Sequence, residues 1–148
     1  MTARELDHGA IAARVPHSGS MCLLHRVRDW SADRIECSAT SHRDPANPLR
    51  TQGMLLATSG VEYAAQAMAL HGALSAAEGT APSAGFLASV RGVTLHLPRL
   101  DVVAGELTVV ARRAAGDTRQ AAYTFTLHDD RGTLLVDGRA TVILSTLP

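Results

Sequence analysis

The sequence predicts an α+β domain in which one long helix is enclosed by an antiparallel sheet of about six strands. Three observations carry this. A single long helical pattern, residues 53–78, consists almost wholly of small and apolar side chains. Stretches of strand character flank it, two before and four after. Turn residues, not helical crossovers, separate the last strands, which argues against a parallel βαβ arrangement.

Taken in order, residues 3–15 place Leu6, Ala10, Ile11 and Ala13 near one face at helical spacing. That predicts a short amphipathic helix, ended by Pro16. His17-Ser18-Gly19-Ser20 reads as a turn. Residues 21–30 read as a strand, with Leu23, His25 and Val27 alternating against Leu24, Arg26 and Arg28. After the turn Ser31-Ala32-Asp33, residues 34–41 put Ile35, Cys37 and Ala39 on one face, so the two strands should pair as a hairpin. Residues 42–52, with Pro45 and Pro48, are irregular and feed directly into a helix over 54–78, with Gly79 as its terminating glycine. A loop over 80–83 leads to strands at 85–96, 106–114, 120–129 and 133–144. Gly116-Asp117 and Asp130-Arg131-Gly132 supply turns between the last three. The helix carries Ala64, Ala65, Ala67, Ala69, Gly72 and Ala73, and side chains this small let a sheet approach closely. The helix is therefore expected to be wrapped, not laid on a surface. No repeat, low-complexity tract or linker interrupts the chain, so residues 1–148 form one domain.

Composition narrows the function classes. A chain of 148 residues can bury a sizeable core. Its 14 basic and 14 acidic side chains cancel, leaving no global field for nucleic acid or membrane. Aromatics make up 3% of residues, too few for a base-stacking surface. Cys22 and Cys37 fit no metal spacing and make a thin disulfide framework, so they read as buried thiols in a reducing compartment. The first residues mix charges too evenly for a signal peptide, and no apolar run reaches the 18 or so residues of a membrane span. The expectation is a soluble cytoplasmic protein. His8, His25, His96 and His128 have no companions at metal-ligand spacing, so no metal is expected.

Within the apolar body of the long helix stand one carboxylate, Glu62, and one carboxamide, Gln66, a turn later on the same face. A carboxylate among apolar neighbours is costly unless something uses or pairs it, so the search for chemistry begins there.

At Gly60-Val61-Glu62-Tyr63-Ala64-Ala65-Gln66-Ala67 the chain resembles the acid-bearing helix of hotdog-fold 3-hydroxyacyl-acyl-carrier-protein dehydratases, which reads E-A-x-A-Q. Val15-Pro16-His17 followed by Met21-Cys22-Leu23-Leu24-His25-Arg26-Val27 looks like that family's opening motif. Phe86-Leu87-Ala88-Ser89-Val90-Arg91, the stretch from Leu100 to Leu107, and Gly138-Arg139-Ala140-Thr141-Val142 are similar to its later strands. More narrowly, PHSGSMCLLHRV, SHRDPANPLR, GVEYAAQAM and FLASVR together resemble a dehydratase-like subgroup from clusters that make aryl polyene or xanthomonadin-type pigments.

The resemblance implies a hotdog fold and dehydration of a 3-hydroxyacyl thioester to a trans-2-enoyl thioester. The substrate would ride on the phosphopantetheine of an acyl carrier protein, with no other cofactor. Two proton movements are needed: a base takes the Cα proton and an acid protonates the departing hydroxyl. Glu62 matches the acid, and Gln66 would hold it or bind substrate; otherwise Gln66 caps a polar seam. The family's base is a histidine about fourteen residues before the acid in a Pro-Gly-rich loop, but that position here is Pro48. The nearest histidine is His42, twenty residues before Glu62, and it is the leading base on position. His17 is the second candidate. His71, nine residues after Glu62, lies on the opposite helix face and reads as a core histidine. Arg91, Arg99, Arg112 and Arg113 would attract a phosphopantetheine arm or an acidic carrier, or else sit on a solvated strand face. Hotdog proteins generally pair, so the partner is a second copy or a paralogous hotdog subunit, and the base can come from it. Two alternatives stand beside the lyase: a half-site subunit that shapes a competent paralogue's tunnel, and an acyl thioesterase.

Overall fold

The computed structural model describes residues 5–14, 21–78, 83–117 and 119–146. His17, Pro16, Gly79 and the start of the loop after the long helix lie outside the described residues. Helix α1 (His8–Ala12) is short and is capped by Asp7, whose carboxylate accepts from Ala10 N–H at 2.9 Å. Strands β1 (Arg26–Ser31) and β2 (Arg34–Ala39) form the expected antiparallel hairpin. Helix α2 (Gly60–Glu78) follows, then β3 (Ser83–Leu95), β4 (Leu107–Gly116), β5 (Gln120–His128) and β6 (Leu134–Thr146). All pair antiparallel in one sheet of order β1-β2-β4-β5-β6-β3, which leaves β3 at an edge.

Alternation along the strands gives the sheet one apolar face. Cross-strand pairing aligns Ile35, Ala111, Phe125 and Gly138 in one row, and Cys37, Val109, Leu127 and Val136 in the next, all buried. Helix α2 packs against β2, β3, β4 and β5. It contributes Tyr63, Ala64, Ala67, Met68, Leu70, His71 and Leu74 to the core. The row at Gly138 closes only because that residue has no side chain: a Cβ there would stand 2.7 Å from Cζ of Phe125. Gly60 serves similarly at the helix start, where a Cβ would lie 3.2 Å from Val136 and 3.3 Å from Leu127. Both cysteines are free and buried, and burial pushes the Cys37 thiol up to about 12. No helix is long and apolar enough to cross a membrane among the described residues.

Two boundaries and the covering of the helix differ from expectation. The long helix starts at Gly60, not at residue 54. Gln52 (φ 50°) and Gly53 (φ 75°) turn the chain at Thr51–Met54, and the Leu55 and Ala57 backbones then pair with Leu100 and Pro98. A single 3₁₀ turn, Ala57–Ser59, completes the entry. The first strand starts at Arg26 because the chain ahead of it is held to the helix by Gln66, as described below. The helix is wrapped on one side only. Ala64 and Ala67 face the sheet, whereas Glu62, Ala65, Ala69, Gly72 and Ala73 form a stripe at helical spacing that is exposed or half-exposed. A Cβ on Gly72 would have nothing within 4 Å.

Candidate functional site

Glu62 stands in the first turn of α2, with Gly60 and Tyr63 buried on either side. Its own side chain is exposed and makes no hydrogen bond or ion pair among the described residues. Glu62 thus heads the small-residue stripe that the sheet leaves open. A carboxylate there is held by its backbone, so the scaffold that fixes the helix start also positions the acid.

That scaffold has two halves. On one side, Leu100 N–H donates to the Leu55 carbonyl at 2.7 Å and Ala57 N–H donates to the Pro98 carbonyl at 3.0 Å. Asp101 seals this joint. Its Oδ1 accepts from Leu55 N–H at 3.0 Å and from Arg99 Nε at 2.9 Å, while Oδ2 pairs with Arg99 Nη2. Its side chain is 7% exposed, and the Arg99 guanidinium holds its carboxyl well below the usual carboxylate range. Arg99 thus spends Nε and Nη2 within the chain.

On the other side lies a chain of hydrogen bonds whose direction is fixed. Ser41 Oγ donates to the Leu23 carbonyl at 2.7 Å, so it accepts from Tyr63 Oη at 2.8 Å. The phenol oxygen in turn accepts from Asn47 Nδ2 at 3.1 Å, and the same amide donates to the Ser41 carbonyl at 2.9 Å. Tyr63, the residue after the candidate acid, therefore ties α2 to the loop that feeds it. Burial pushes its phenol pKa up, in keeping with a phenol that stays protonated as a donor. A cavity of about 370 Å³ opens beside this network, between Leu23, Ser41, Asn47 and His25; neither Glu62 nor His42 lines it.

Gln66 belongs to the same scaffold. Its Oε1 accepts from Leu23 N–H at 2.8 Å and its Nε2 donates to the Met21 carbonyl at 2.5 Å, with 1% of the residue exposed. Both functional atoms are used on the 21–23 backbone, and neither is bonded to Glu62. The structure thus gives Gln66 a strut's place in the polar seam.

His42 is fully buried, not a surface loop residue. Its Nε2 donates to the Val103 carbonyl at 3.1 Å and its Nδ1 has no partner, although the Gly105 carbonyl lies near. Burial is the main cause that lowers its pKa, with Arg43 and Arg50 adding to it. Arg50 closes the loop over it, donating to the His42 carbonyl at 3.2 Å and to the Gly53 carbonyl at 2.9 Å. His42 and Glu62 are therefore not brought together on an open surface: the ring is enclosed and the acid is exposed. His71 is a core histidine as expected, bonded through Nε2 to the Ser31 carbonyl and through Nδ1 to Tyr123 Oη, both at 2.7 Å. Among the described residues no three His, Cys, Asp or Glu side chains gather as a metal centre requires.

The Tyr63–Ser41–Asn47 chain and the Arg99–Asp101 joint were not visible in the sequence. Apart from Asn47–Ser41 and the Arg99–Asp101 pair, their partners lie 16 to 46 residues apart, and no local pattern announces them.

Comparison with known proteins is consistent with this architecture. A family model described as ApeP dehydratase matches residues 9–146. Among solved structures, a chain of the dehydratase heterocomplex ApeI:P from Xenorhabdus doucetiae superposes with a TM-score of 0.81 at 26% identity, covering 92% of this chain and 91% of that one. A thioesterase from Haemophilus influenzae superposes with a TM-score of 0.69 at 16% identity, covering 96% and 92%. AziG of S. sahachiroi does so with a TM-score of 0.63 at 16% identity, covering 82% and 90%. No curated protein sequence matches the chain. The long helix on a six-stranded antiparallel sheet is the hotdog fold.

Proposed function

This chain belongs to the ApeP-like dehydratase family, and from that premise we propose that it acts in the dehydration of a 3-hydroxyacyl thioester as one half of a two-subunit site. The observation that carries this reading is the exposure of Glu62 at the head of a helix face that no element among the described residues covers.

A second hotdog subunit accounts for what is left open. Strand β3 is a 13-residue edge strand, with Val93 and Leu95 exposed on it. Long free edges of this kind are normally paired or protected. A subunit added at β3 would extend the sheet and cover the Ala65–Ala69–Gly72 stripe beside Glu62. In the reaction, a base removes the Cα proton, the electron pair forms the Cα–Cβ double bond, and the Cβ–O bond breaks. Glu62 gives its proton to the departing hydroxyl, which leaves as water. The base comes from the second subunit or from His17; enclosed His42 instead holds the loop. The heterocomplex named for the Xenorhabdus protein supports an ApeI-like partner, and the acyl carrier protein supplies the thioester.

The test is loss of one water from a 3-hydroxyacyl carrier thioester, followed by mass spectrometry. The chain alone should be inactive, the chain with an ApeI-like subunit active, and the complex carrying Glu62→Gln about 10²–10⁴-fold slower. Full activity in the Glu62→Gln complex would remove Glu62 from the mechanism. Release of free thiol in place of water would assign thioesterase chemistry.

A further inference from the structure

The solvent face of the sheet carries a feature that the reaction does not use. Strand register sets Arg34 opposite Arg112, Arg112 opposite Thr124, Thr124 opposite Arg139, and Arg139 opposite Arg91. Five residues from five strands thus form one transverse row, and four of them are arginines. Their sequence neighbours Ile35, Ala111, Phe125 and Ala140 are buried, so the row points away from the helix. Neighbouring strands lie about 4.8 Å apart, which makes the row about 19 Å long.

Like charges placed directly opposite one another in a sheet destabilise it. Arg34 is relieved by Glu36, whose carboxylate accepts from it at 2.7 Å. Asp137, the acid nearest Arg139 along β6, is bonded instead to His96 at 2.8 Å. Arg112, Arg139 and Arg91 therefore have no carboxylate partner among the described residues, and all three are exposed. Between Arg91 and Arg139 runs a groove of about 300 Å³ that also presents Ser89, Thr124 and Thr141. All 14 basic residues of this chain are arginines, the cation whose planar fork matches a carboxylate in two hydrogen bonds.

We propose that this row is the docking surface for an acidic α-helix of a partner protein, laid across the strands. A helix rises about 5.4 Å per turn, close to the strand spacing, so acids one turn apart meet arginines one strand apart. A row of about 19 Å matches three to four such turns. A nucleic acid fits less well, because the chain has no net positive charge and few aromatics. A membrane fits less well because the row carries no apolar side chain to insert. The acidic partner is identified as the acyl carrier protein, and that identification rests on the carrier-bound substrate proposed above. Arg91 lies on edge strand β3, so the docked carrier would sit beside the seam with the second subunit.

The probe is an acyl carrier protein without its phosphopantetheine arm, titrated into the complex of the full chain with an ApeI-like subunit. Arg112→Glu combined with Arg139→Glu should weaken binding at least about tenfold, and added salt should weaken binding to the unaltered complex. Arg14→Glu, two residues past α1 and off the row, and Glu62→Gln should leave affinity unchanged. Arg139→Glu alone should raise Tm by about 1–3 °C, since it replaces a repelling pair with Arg91 by an attracting one. That rise separates lost docking from lost folding. The proposal is overturned if the unaltered complex does not bind the carrier. It is equally overturned if the double reversal leaves binding intact, if Arg14→Glu weakens it as much, or if a short DNA duplex or an anionic vesicle binds the row as tightly. Turnover of a small pantetheine thioester by the same complexes tests the reaction separately. If it fails while carrier binding follows the row, the dehydratase reading falls and the docking surface stands.

Discussion

Glu62 and Gln66 sit one turn apart on the same helix, yet the structure gives them opposite relations to the chain. The carboxamide is spent on the Met21 and Leu23 backbone; the carboxylate is bonded to nothing among the described residues. Substitutions should separate the two. Gln66→Met keeps the volume but leaves the buried Leu23 N–H and the half-buried Met21 carbonyl unpaired, at a cost of about 1–3 kcal/mol. Denaturant titration should show that loss, and the Leu23 amide should exchange faster with solvent. Glu62→Gln should change stability by less than about 0.5 kcal/mol, as expected for an exposed side chain with no structural partner. Were Gln66→Met to leave stability untouched, the strut would be an incidental contact. The motif pointed to both residues together because both occupy matching positions. It carried no information on which one faces the 21–23 segment, since that depends on chain 43 residues away.

Among the elements, strand pairing was readable and helix entry was not. The turns at Asp117 and Asp129 work as the sequence suggests: Asp117 accepts from the Arg119 and Gln120 amides, and Asp129 from those of Arg131 and Thr133. The start of α2 was missed because residues 54–59 are apolar enough to read as helix, while their backbones pair with Pro98 and Leu100. The enclosure of His42, the leading base on position, was hidden for a related reason: the Val103 carbonyl that holds its ring lies 61 residues on. The central strands invite a sharper test. Gly138→Ala puts a methyl against the Phe125 ring, which is 1% exposed and cannot move into solvent. Destabilisation of about 1–3 kcal/mol is expected, and Phe125→Leu in the same chain should return part of it. Thermal melts of the single and double variants check this. Purely additive losses would mean that the ring and the glycine do not share space.

For the whole molecule, acidity is the lever the core exposes. His42 and His71 are both fully buried, and burial is the leading cause that lowers both pKa values. Unfolded, each titrates near about 6.5. Between that value and their lower folded values the unfolded chain binds more protons, so stability falls as pH drops through about 6.5. Asp101 does not contribute to this loss. Its folded pKa is depressed, so its stabilisation is present above the ordinary carboxylate range and disappears only as pH falls through the lower folded value. Tm should therefore hold above about pH 7 and fall from there towards about pH 5. The fall should be shallower in His42→Gln, and an equal slope in that variant would show that the ring is not held neutral.

The free edge of β3 also bears on how the protein is supplied. A chain released before a partner is at hand presents a thirteen-residue strand with one edge unpaired and with apolar side chains on it. Such an edge is a template for other strands as much as for the intended one. The amount of this chain that survives as usable protein is then set by the ratio in which the two subunits are made. Overproduced alone it should accumulate as aggregate, and the remedy would be matched synthesis of the partner, not a change in its own core.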